Sequence, residues 1–164
     1  MSDIHEGVTL GEGASGQPVV ERALDHLVDI VNRVIRRELA TAGALETAAG
    51  HLDGADYADL VYLLESCHRD QIEHLTALAS ELGGEPADTS NLRSLIDRAR
   101  VRLRELRGDT GVLATLASIE AELAAEYREA ISTVGFTDDE RELLSVGLAT
   151  AHDAVRRLRD VSAH

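Results

Sequence analysis

Glu38, Glu65, His68, Glu120 and His152 interrupt helical apolar stripes at positions that call for hydrophobes. Taking a charged group out of water is costly unless it is paired or bound to metal. Carboxylates and imidazole are donors for iron, manganese or zinc. Five of them at matched positions predict a shared metal site with open positions for dioxygen or peroxide.

Four long helices must carry these residues. The first is expected over 18–49, where Leu24, Leu27, Val31, Val34, Glu38, Ala42 and Leu45 keep a 3.6-residue period. After a turn at 50–54, the second runs over 55–82 through Val61, Leu64, Glu65, His68, Ile72 and Leu75, until Gly83-Gly84 and Pro86 end it. A shorter helix over 91–106 holds no ligand-type residue on its stripe and is expected to be a connector. The third long helix spans 112–133 and carries Glu120 and Tyr127. The fourth begins after Thr137-Asp138-Asp139-Glu140, a capping-box pattern, and carries His152. The fold class is therefore all-α: a four-helix bundle of two antiparallel hairpins with an extra short crossover helix.

Depth supports a common site. At 1.5 Å per residue, Glu38, Glu65 and His68 lie roughly 15–20 Å from the first turn, and Glu120 and His152 lie at similar depth in the second hairpin. Glu65 and His68 share a helix face. Carboxylate-bridged di-metal bundles use Glu, Glu-x-x-His, Glu, Glu-x-x-His on four helices. Here Ala149 stands where the sixth ligand belongs. The expected site therefore holds two iron ions, or one plus a weak second, with manganese or zinc as alternatives. Glu38, Glu120, His68 and His152 would be terminal ligands and Glu65 a bridge. Asp153 and Glu126 are the nearest substitutes for the missing carboxylate, but helical phase turns both partly away.

Composition limits the alternatives. The 164 residues allow one domain, with 1–17 as a Gly-rich flexible tail and 18–161 as the bundle. A formal charge of −14 disfavours nucleic acid and anionic membrane as partners. The single cysteine, Cys67, excludes an intrachain disulfide and reads as a packing residue. No apolar run nears the roughly 18 residues of a membrane helix. With no secretory signal visible, these features predict a cytoplasmic bacterial protein.

The chain resembles the ferritin-like superfamily, and more closely a bacterial ferritin-like four-helix-bundle family of unknown function. The carriers are Leu82-Gly83-Gly84-Glu85-Pro86, Glu120 seven residues before Tyr127 with Ala130-Ile131 following, and the segment from His152 to Asp160. The resemblance covers about 19–160. It implies a metal site at the five positions, in a superfamily that handles dioxygen, peroxide or stored iron. It supplies no particular reaction.

Competing readings stand beside this one. Ala149 weakens a symmetric redox pair, which favours a non-catalytic metal-binding protein acting in sequestration or stress protection. A Glu–His network without metal would leave a helical stress or interaction module. The alternating Arg98, Arg100, Arg102, Arg104 and Arg107 are read as a solvated face that could dock an acidic neighbour. Tyr62 and Tyr127 are expected in the core or at its boundary, with Tyr127 placed to hydrogen-bond a ligand. Glu73 and His74 fall off the stripe, and His5, His26, His51 and His164 lack ligand spacing. Small-residue helix faces would allow pairing as a homodimer.

Overall fold

The computed structural model describes residues 17–90 and 92–164. Nearly all of the tail expected over 1–17 lies outside the described residues. Among the described residues five helices follow in order: α1 (Gln17–Ala49), α2 (Ala55–Glu81), α3 (Arg93–Arg104), α4 (Asp109–Ser132) and α5 (Asp138–Ser162). No strand occurs among the described residues.

α1 packs most extensively on α2, and α4 on α5, so the unit is two helical hairpins. They join mainly through α1 against α4, while α2 meets α5 more sparsely. The short α3 lies chiefly against α1. One apolar cluster, with Val31, Ile35, Leu75, Leu123 and Leu144, fills the end near the α4–α5 turn. A second, with Leu45, Val61, Leu113, Leu116 and Leu158, fills the other end. The buried polar residues Glu38, His68 and Glu120 belong to neither cluster.

Local chemistry fixes the connections. Thr137 and Glu140 form the expected capping box at the start of α5. The Leu-Gly-Gly-Glu-Pro segment is a docking element. Gly83 takes a left-handed φ of 85° after α2, where glycine is favoured. A side chain at Gly84 would collide with Val28, reaching 2.6 Å from its Cγ2. Asn32 then holds the next residues in place. Its Nδ2 donates to the Glu85 carbonyl at 2.9 Å, and its Oδ1 accepts from Ala87 N at 2.7 Å.

Candidate functional site

Glu38 on α1, His68 on α2 and Glu120 on α4 are almost fully buried and meet in the core. The imidazole lies between the two carboxylates. Its Nδ1 is 2.7 Å from Glu38 Oε2, and its Nε2 is 2.8 Å from Glu120 Oε1. Tyr127, one fully buried face-mate of Glu120 on α4, donates its hydroxyl to Glu38 Oε1. Glu120 Oε2 is buried with no hydrogen-bond partner among the described residues.

The helices reach this point by strict periodicity. Val61, Leu64, His68, Gln71 and Leu75 form the buried line of α2. Leu113, Leu116, Glu120, Leu123 and Tyr127 belong to that of α4. Spacings of three and four residues hold each set on one face. On α5 the buried line is Leu144, Gly147, Ala151, Ala154 and Leu158, with no donor side chain in it. Gly147 makes room for the tyrosine: a Cβ there would stand 2.5 Å from the Tyr127 hydroxyl and closer still to the ring.

Protonation follows from this enclosure. Burial opposes a charge on His68 more than any other single influence. Hydrogen bonds to Glu120 and Glu38, and their charges, together outweigh it and push the imidazole up to about 10. Burial raises the Glu120 carboxyl above its ordinary range against the pull of His68. Burial and the adjacent Glu38 charge also push the Tyr127 phenol far up. At neutral pH the raised imidazole keeps its proton between Glu38 and Glu120, and the phenol stays neutral and donates to Glu38.

Two expected ligands do not join it. Glu65 is one residue past buried Leu64, about 100° around the helix, and its partly buried carboxylate accepts from the exposed Arg69 instead of meeting His68. His152 is one residue past Ala151 and is exposed, with Nε2 3.2 Å from Arg128 Nη1. Ala149 is exposed too, so a carboxylate there would not have faced the core. The nearby substitutes are engaged elsewhere: Glu126 is 2.6 Å from Arg33 Nε, and Asp153 pairs with Arg156 and Arg157.

The donor set therefore does not fit a two-metal centre in this arrangement. Among the described residues, no three His, Cys, Asp or Glu side chains gather where a metal ion would sit. The physical reason is the imidazole itself. Its two nitrogens point away from one another and hold the carboxylates apart. Two participants were not foreseen in the sequence: Gly147 and Gln71. Gln71 is buried three residues after His68 and donates to the Leu143 carbonyl at 3.3 Å. Its helical spacing from His68 was the signal that could have found it.

Other residues sort simply. Glu73, His74, His26, His51 and His164 are exposed, as are all five arginines of the 98–107 run. Cys67 is partly buried and free. Tyr62 is 54% exposed, outside the core or boundary position expected for it. Among the described residues no helix is long and apolar enough to cross a membrane. No protein-family model matches the chain, and no curated protein matches it in sequence.

Proposed function

We propose that this chain is a ferritin-like bundle whose core site is a metal-free ionic network, and that the protein acts non-catalytically, as a helical interaction or stress protein. The observation that carries this reading is the use of both His68 ring nitrogens. Each already meets a carboxyl oxygen, at 2.7 and 2.8 Å, so a metal would have to displace a carboxyl group to reach either nitrogen. The proton supplies the positive charge that a metal ion would bring. The two hairpins and the crossover α3 are consistent with ferritin-like architecture.

One observation favours a second reading, a single iron, manganese or zinc ion. Glu120 Oε2 is buried and lacks a hydrogen-bond partner among the described residues. A divalent ion exchanged for the His68 proton would give that oxygen a partner. Once the ring turned aside from between the carboxylates, Glu38, Glu120 and His68 would hold it, and the ion would supply Lewis acidity or redox chemistry according to the metal.

The test is metal analysis of the full chain, produced with added iron, manganese and zinc and then dialysed, beside Glu120→Gln. The network reading expects substoichiometric metal in both proteins. Stoichiometric metal that is lost in Glu120→Gln would replace it with the single-ion reading.

A further inference from the structure

We propose that a cavity between α1, α3 and α4 binds a small organic anion: a carboxylate carried on a short apolar body. This goes beyond the reading of the core and does not depend on it. The cavity has a volume of about 220 Å³, and its walls divide by chemistry. Leu95 and Ile119 supply apolar surface, while Arg37, Arg98, Arg102 and Glu122 are the charged residues of the lining. An apolar cavity of about 150 Å³ accepts benzene. There is room here for a ring with a carboxylate attached.

α3 is built to leave this space. Leu92, just before the helix, and Leu103, in its last turn, are fully buried and anchor its two ends. Between them Leu95, Arg98 and Arg102 recur at helical spacing and line the cavity. Gly43 on α1 brings the neighbouring Ile96 close, since a Cβ at that position would lie 3.2 Å from Ile96 Cγ1.

The charge is incompletely met. Glu122 Oε2 is 3.4 Å from Arg37 Nη1, and Oε1 is 3.7 Å from Arg102 Nη1. Both exceed the roughly 2.7–2.9 Å of a tight charged hydrogen bond. Arg98 lines the same cavity and has no ion pair among the described residues, so Glu122 is held loosely by two arginines and the third is left unmatched. In a chain of formal charge −14, such a surplus of positive charge is local and exceptional. Arginine's planar fork matches a carboxylate in two-point contact, and the apolar wall selects anions that carry a hydrophobic body. Glu122 is then the internal competitor for the arginines.

The test is an amide-shift NMR titration of the full chain with benzoate. Inorganic phosphate provides charge without the body, and benzyl alcohol the body without charge. Benzoate is expected to shift amides around 37–41, 95–102 and 119–122 saturably, and to bind more tightly than either control. Arg98→Gln/Arg102→Gln should weaken it by about tenfold or more, the loss of a charged hydrogen bond. Glu122→Gln should tighten binding, a gain that loss of structure cannot produce. Absence of a saturable benzoate shift, equal binding of phosphate, or unchanged affinity in both variants would overturn the proposal.

Discussion

Gly147 and Tyr127 occupy what would otherwise be the same space. The tyrosine hydroxyl reaches Glu38 across the bundle only because α5 has no side chain at that point. Gly147→Ala is therefore expected to destabilise the protein, although alanine is the better helix former by about 1 kcal/mol. Overpacking costs about 1–3 kcal/mol, and displacing the hydroxyl forfeits a hydrogen bond to a charged group worth about 1.5–3 kcal/mol. Urea unfolding should show a net loss of about 2 kcal/mol. An unchanged or raised midpoint would mean that the ring is free to shift.

The ionic network should behave as a unit. His68→Leu alone leaves two carboxylates buried without their cation, and should cost about 3–5 kcal/mol. Replacing Glu38, His68 and Glu120 together by leucine, with Tyr127→Phe, removes every group that needs a partner. Such exchanges are often neutral or stabilising. Chemical denaturation of the single and combined variants checks the contrast. A combined variant less stable than His68→Leu would argue against this account.

The inward positions were legible where one apolar stripe carried one interruption. Glu38, His68 and Glu120 are such cases, and all three lie on the buried lines of their helices. Glu65 and His152 were ambiguous because each adjoins a small or apolar residue that also fits the period. Leu64 and Ala151 won those inward positions, and one residue of phase moved each donor about 100° outward. Gly147 was not legible, because nothing local to a helical glycine says that a tyrosine from another helix needs its space. The helices and their order were readable from periodicity, glycine breaks and the Thr137 cap. The use of Leu82 to Pro86 as a docking element was not readable, since its partners Val28 and Asn32 are more than fifty residues away.

Asn32 satisfies two backbone groups of that element at once. Asn32→Ala should cost about 1–3 kcal/mol, the penalty for leaving such groups unmet. Amide exchange should quicken at Ala87, whose N–H loses its acceptor, with less effect in α4 and α5. Uniform quickening throughout the chain would mean that the contact does not act locally.

Alkaline pH should weaken the metal-free protein. His68 binds its proton more tightly folded than unfolded, so its stabilising contribution is complete below about 6.5 and fades as pH rises to about 10. The raised Glu120 carboxyl gives a fall of the same sign that begins above the ordinary carboxylate range, because the folded state favours its protonated form. In chelator, the urea midpoint should fall steadily from pH 7 to pH 10, and His68→Leu should flatten the slope. An equal slope in the variant would place the effect elsewhere.

The most direct measurement concerns the His68 ring itself. Nitrogen-15 NMR of the full chain, with histidine labelled and metal removed, reads the protonation of each ring nitrogen. An imidazolium clamped between Glu38 and Glu120 predicts that both nitrogens stay protonated at pH 8 and do not respond to added zinc or manganese. One unprotonated nitrogen at that pH, with a signal that moves or broadens on addition of either metal, would contradict it.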